Sequence, residues 1–403
     1  MSYRLLCVVL LVLLCSCRDT RDTANNAPPT PPTAQPTSTP ASKLDISQIQ
    51  KMLADPEASR KALAEDRGTY AWQIFISYNS PLVGTDAKYW ELNFRGTSAV
   101  YLKNGCPPPP WGPTPSPAAV LEQTKTMPNL GPHSEVLHNL DTINKFQVSG
   151  LVLNDTWNQA VLYQLLMNQS TFDYIVENSF YNVEGQQQAA QNNQPANFPS
   201  TAFELKTSWI WIGTDPAKYQ ALQGKYYIVT AYYENFVNGH FRGIVVGYAA
   251  LSGMHIINKS QPNWVWMTFE NVNNPNFTKA KLELPIPDYA QQANQYFQPA
   301  LQGMGSVFAN YQLDGVQMDF QDPTLLANSN IETAFQPQSS CMTCHKLASI
   351  KPNGAYFNIV NKQGGNLGYY TGNPPDMTGF TQLDYVWSMK RASRKNANIC
   401  QEN

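Results

Sequence analysis

The sequence predicts an α+β protein: an antiparallel β-sheet body with packed helices, followed by a small C-terminal segment of different character. Three observations carry that expectation. Residues 48–79 combine good helix formers with apolar positions at helical spacing. From about 203 to 270 the chain turns to short runs rich in Tyr, Val, Ile and Trp, the composition of strands. Beyond Pro285 the periodicity fades, and the chain arrives at Cys341-Met342-Thr343-Cys344-His345.

Four regions follow from this division. Residues 1–16 read as a lipoprotein signal peptide, with Arg4 as a minimal positive region and Leu5 to Leu14 as an apolar run too short to span a bilayer. That run ends in Leu14-Cys15-Ser16-Cys17, which resembles a bacterial lipobox with Cys17 as the lipidated residue. By the same resemblance to Gram-negative lipoproteins, Arg18 is not the aspartate that retains such proteins in the inner membrane, so the outer membrane is expected. Residues 17–47 form the lipidated cysteine and a Pro/Thr-rich tether, a polyproline-like spacer of about 3.1 Å per residue. Residues 48–320 form the α+β body, and residues 321–403 the C-terminal region. A net charge of −2 gives no electrostatic case for nucleic acid.

Within the body, Ser47 stands as a cap for the helix over 48–79, whose Trp72, Phe75, Ile76 and Asn79 share one face. A Pro-rich loop, Cys106 to Pro117, offers Trp111 for packing, and His133 and His138 fall in a polar stretch that reads as surface. Asp155 is expected to cap a helix carrying Trp157, Val161, Leu162, Leu165 and Leu166, with a further short helix over Thr171 to Phe180. Strands are expected at Phe203 to Ile212, Tyr226 to Val237, Phe241 to Leu251, Met254 to Ile257 and Trp264 to Phe269, with Asn238-Gly239 as a hairpin turn and the helices on one face. The chain after Pro285 reads as loop-rich, with a short helix over Thr324 to Phe335. A last helix, about Thr381 to Ala392, shows an apolar stripe of Leu383, Val386 and Trp387.

Cys-x-x-Cys-His is the signature of c-type haem attachment. Two thiols three positions apart can each add to one vinyl group on a single haem edge, and the following His345 then lies under the ring as the proximal ligand. A thioredoxin-like pair would follow a strand at the start of a βαβ unit, which is lacking here. A zinc site would require a second Cys/His pair close by, and none is near in sequence. One covalent haem c, held by Cys341, Cys344 and His345, is therefore the expected cofactor. The far side of the iron has two candidates. His255 sits in the apolar strand Gly253-Met254-His255-Ile256-Ile257, where a buried histidine needs a reason. Met377 follows Pro374-Pro375-Asp376, ahead of the last helix. An iron open on that side is the third possibility.

Cysteine arithmetic leaves one pair. Cys7 and Cys15 leave with the signal peptide, Cys17 takes lipid, and Cys341 and Cys344 take haem, so Cys106 and Cys400 are expected to form a disulfide, the alternative being two free thiols. No catalytic constellation stands out in the sequence.

Several segments resemble bacterial single-haem proteins of the cytochrome c family: 71–81, 203–209, 253–256, 263–272, 339–348 and 382–389. The resemblance implies haem binding, a cytochrome c-like C-terminal segment, and electron transfer to a periplasmic redox partner that it does not name. The alternatives are a haem enzyme of peroxidase or oxygenase type, or a haem-containing ligand-binding or sensor module with an open distal site.

Overall fold

The computed structural model describes residues 45–82, 84–113, 136–141, 161–238, 240–320, 325–332, 339–358 and 376–400. The signal peptide, Cys17, nearly all of the tether, His133, Asp155 and Trp157 lie outside the described residues.

Three aspartates punctuate the N-terminal helical stretch. Asp45 caps α1 (Ile46–Ala54), Asp55 caps α2 (Pro56–Glu65), and Asp66 caps α3 (Arg67–Asn79), each carboxylate accepting backbone N–H groups of the first turn. The single helix expected here is thus three, and its cap is Asp45 rather than Ser47. Trp72, Phe75, Ile76 and Asn79 are buried as their spacing implied.

The remaining elements run α4 (Tyr89–Asn93), β1 (Phe94–Gly96), β2 (His138–Asn139), β3 (Leu162–Asn168), α5 (Gln169–Glu177), α6 (Val183–Gln191), β4 (Phe203–Gly213), α7 (Pro216–Leu222), β5 (Ile228–Val237), β6 (His240–Asn258), β7 (Val265–Asn271), α8 (Phe277–Glu283), α9 (Asp288–Gly303), β8 (Tyr311–Gln317), α10 (Cys341–Lys346), β9 (Ser349–Ile350) and β10 (Thr381–Gln382). The eight strands β1 to β8 form one large, nearly closed, barrel-like sheet in the order β1-β3-β4-β6-β5-β2, with β7 on β6 and β8 on β7. Strand β6 is its spine. One edge pairs with β4; the other pairs with β5 along its first half and β7 along its second. Every pairing of this sheet is antiparallel except β2 with β5, so the sheet is mixed.

Side chains directly opposite one another across strands share a face. One face carries Leu205, Met254, Ile256, Met267 and Phe269 into a core with α1, α3 and α9. There the ring of Phe75 stacks on Phe269 at 4.2 Å and Trp72 on Phe297 at 5.5 Å. The other face carries the row Lys206, His255, Thr268 and, one step along, Trp266. A second core lies on that side. It joins Phe172 and Phe198 to Met342, Ala348, Ile350, Leu383, Val386 and Met389, and Trp111 packs on Phe172 at 5.3 Å. Helices therefore cover both faces, and the C-terminal region shares its core with α5 and α6.

Other expectations are corrected. Leu162 to Asn168 is strand, not helix: it is held between β1 and β4 and buried on both faces, so its apolar residues do not alternate. The chain beyond Pro285 holds α9 and β8. Residues 325–332 form no helix; Asn328 closes a turn instead, accepting N–H bonds from Asn330 and Ile331 on its side chain. The expected last helix is the short strand β10, a bend, and a single 3-10 turn, Trp387–Arg391, because Asp384 and Tyr385 take left-handed φ values of 49° and 69°. His138 is buried, its Nε2 3.0 Å from Glu91 Oε1 and its Nδ1 3.2 Å from Gln164 Oε1.

The expected disulfide is present: Cys106 and Cys400 are bonded across a sequence separation of 294. Among the described residues no helix is long and apolar enough to cross a membrane.

Candidate haem-attachment site

Helix α10 begins at the motif itself. Ser340 is its cap, with its hydroxyl accepting the Thr343 N–H at 3.3 Å and the Gln317 Nε2–H at 3.0 Å. Gln317, at the end of β8, also accepts the Met342 N–H at 3.0 Å. Met342 is fully buried and pins the helix into the second core. A spacing of three residues then brings Cys341 and Cys344 to one helix face. Both are free thiols. Burial pushes both thiols up, Cys344 to about 12, so neither is a thiolate at neutral pH. Cys341, Cys344 and His345 nevertheless keep part of their surface exposed.

His345 is held in one tautomer. Its Nδ1 donates to the Tyr385 carbonyl at 2.7 Å, which leaves Nε2 carrying the lone pair that a metal requires. Burial lowers its pKa to about 4, keeping the ring neutral. The Trp266 ring lies 4.3 Å from it and fixes its plane. The bend after β10 is shaped around the motif at three points. The Leu383 N–H donates to the Ala348 carbonyl at 2.8 Å, the Tyr385 carbonyl takes the His345 bond, and Trp387 Nε1–H donates to the Cys344 carbonyl at 2.9 Å.

His255 belongs to the same environment. His255, Lys206 and Glu332 lie close enough to act electrostatically on His345, and Lys206 and Glu332 likewise on both thiols. His255 is 7 % exposed, and its Nε2 lies 3.5 Å from Glu332 Oε2: within reach of an ion pair, too long for a good hydrogen bond. Burial pushes the Glu332 carboxyl up, but His255 and, more weakly, Lys206 outweigh it and hold the carboxyl below its ordinary range. Among the described residues neither His255 Nε2 nor the neighbouring Thr268 Oγ1 has a hydrogen-bond partner. An orphaned buried polar atom costs about 1–3 kcal/mol, so two side by side on the face turned to the motif fit a group bound between. Met377 is half-buried, its carbonyl accepting the Phe380 N–H in a turn whose Phe380 ring lies 5.2 Å from Phe357.

The residues present therefore fit a covalent haem: two thiols on one face, an imidazole with its lone pair free, and a second buried imidazole on the adjoining sheet. Among the described residues no group of three or more His, Cys, Asp or Glu is arranged to hold a metal ion. Sequence reasoning named the thiols and both histidines. It missed the Tyr385 carbonyl, Trp266, Lys206 and Glu332. Of these only Lys206 left a signal, as the one cation inside the strand-like run Phe203 to Ile212.

No family model, curated protein or solved structure matches the chain.

Proposed function

We propose that the protein is a membrane-anchored c-type cytochrome with one covalent haem c, carrying electrons in the periplasm to a redox partner. Its anchor is lipid on Cys17 and its site is the outer membrane. On this reading an α+β body carries a cytochrome c-like haem segment. The observation that supports it most is the orientation of His345: an imidazole beside two thiols, its Nδ1–H committed to a carbonyl and its Nε2 free.

When bound, haem supplies a reversible one-electron iron couple. Cys341 and Cys344 would hold it covalently and His345 would ligate its iron, with the Trp266 ring packed against the imidazole. His255 rather than Met377 would supply the second ligand, because its Nε2 lacks a hydrogen-bond partner and His255 lies among the groups that act on His345. Lys206 and Glu332 supply charges of opposite sign close by.

A second reading rests on the 3.5 Å approach of Glu332 to His255. If the iron is open on its distal side, that pair is an acid–base couple suited to a peroxidase- or oxygenase-like enzyme, or to a ligand-binding sensor.

The test is the absorption spectrum of full-length protein made with c-type maturation machinery. A low-spin, six-coordinate spectrum is expected, and no haem stain on a denaturing gel once Cys341 and Cys344 are both replaced by Ala. His255→Ala is expected to turn the ferric spectrum high-spin, whereas Met377→Ala retains the parent spectrum. Cys17→Ala is expected to move the protein to the soluble fraction. Haem that survives loss of both cysteines sinks the proposal, and a high-spin parent transfers it to the second reading.

A further inference from the structure

We infer that the buried pair Lys259–Asp384 is a positioning device for His345, acting through the Tyr385 carbonyl and thereby setting the redox poise of the site; this rests on the haem reading above. The chain makes the Tyr385 carbonyl available only by an unusual bend. Asp384 and Tyr385 are consecutive non-glycine residues in the left-handed region, at φ 49° and 69°. Such a conformation persists only where its surroundings over-determine it.

Asp384 is what holds it. Its Oδ1 takes Lys259 Nζ at 2.6 Å and its Oδ2 takes the Phe198 N–H at 2.7 Å, so both carboxylate oxygens are committed. Lys259 is itself fixed, donating to the Pro262 carbonyl at 2.8 Å with its side chain only 8 % exposed. One residue on, the Tyr385 hydroxyl donates to Asn263 Oδ1 at 2.9 Å. The connection between β6 and β7, residues 259–264, thus grips the bend from two sides. Strand β6 carries His255 and strand β7 carries Trp266, so one connection links the distal candidate, the ring against His345 and the carbonyl that orients it.

A buried ion pair is a poor way to stabilise a fold, since apolar residues of the same volume do as well or better. Specifying one geometry is what it does well. Here the specified geometry is the His345 Nδ1–H bond, and a hydrogen bond at that nitrogen raises the basicity of the ligating one, favouring oxidised iron. Loosening the clamp should therefore raise the reduction potential without releasing the haem.

The experiment uses full-length holoprotein with Lys259→Met, Asp384→Asn and Lys259→Arg. Asparagine tolerates the left-handed conformation, so Asp384→Asn removes the charge and leaves the bend permitted. Both Lys259→Met and Asp384→Asn are expected to retain covalent haem and to raise the midpoint potential by at least a tenfold change in the one-electron equilibrium, about 59 mV. Lys259→Arg is expected to stay with the parent. Should Lys259→Met fail to accumulate, Asp384→Asn carries the same test. Variants that keep the parent potential and lose only thermal stability overturn the inference while the haem reading stands. A parent chain without covalent haem overturns both.

Discussion

Glu204 shows how far burial alone can move the chemistry of one side chain. Its carboxylate lies on the strand next to that of His255 and accepts the Ser388 hydroxyl at 2.8 Å; burial pushes its pKa from 4.5 up to about 7. The sign of the consequence is fixed. Below pH 4.5 both folded and unfolded chains hold the proton; between about 4.5 and 7 the unfolded chain releases it first, so stability falls as pH rises and the loss is complete above 7. At about 1.4 kcal/mol per pH unit the loss is roughly 3 kcal/mol. Glu204→Gln keeps an acceptor for Ser388 and removes the titration. Urea unfolding should find it up to about 3 kcal/mol more stable than the parent at pH 8 and nearly equal at pH 4; a gain independent of pH would exclude the mechanism. At this scale the sequence was readable where a side chain itself carries the chemistry. His255 stood out as a lone histidine in an apolar strand. The Tyr385 carbonyl could not, because every residue has a carbonyl and only the bend at Asp384 aims this one. His138 was misread because its partners, Glu91 and Gln164, come from distant parts of the chain.

Elements were legible where their signals are local. The strands from 203 to 270 are β-branched and aromatic, and the turn at Asn238 reverses the chain as expected, pairing Val237 with His240. Strand β3 failed because it is apolar on both faces, a pattern that short buried strands share with helices. Leu383, Val386 and Trp387 mimic a helical stripe, but each is buried or half-buried by a separate contact of the bend. The turn over β6 and β7 was invisible for a different reason: it depends on a glycine in another element. A Cβ on Gly253 would stand 2.6 Å from Asn328 Nδ2 and 3.1 Å from Ser208 Oγ. Asn328 organises that turn, which holds Glu332 against His255 and Ser329 against Glu270. Gly253→Ala should therefore cost roughly 1–3 kcal/mol by overpacking. On the proposed haem reading it should also perturb the absorption spectrum, since Glu332 moves with the turn. A thermal melt and a spectrum check both; an unchanged spectrum would detach the turn from the site.

At the scale of the whole molecule, the disulfide joins the Pro-rich loop to the end of the described chain. Around it Asn396 N–H donates to the Asn104 carbonyl at 2.9 Å, and a Cβ on Gly105 would meet the Arg394 carbonyl oxygen at 2.5 Å, so the two segments dock closely. Closing so long a loop is worth roughly 4–5 kcal/mol in the chain-entropy model. A Cys106→Ala, Cys400→Ala double variant should lose about that much in denaturant unfolding, and mapping of unreduced peptides should recover the joined fragment from the parent. An unchanged midpoint would assign the docking to the surrounding contacts alone. The bend at 383–387 bears on how such a chain would be recognised among others. Cys-x-x-Cys-His is short and common to many unrelated architectures, whereas Leu383-Asp384-Tyr385-x-Trp387 states a backbone requirement: an acidic anchor, a left-handed pair, and an indole returning to the motif helix. The two short patterns, about forty residues apart, together form a more discriminating signature than either alone. Glycine or asparagine would fit the left-handed backbone at either position, but at Asp384 both forfeit the acidic anchor, and a chain with the pentapeptide but without the second pattern should orient its histidine by other means.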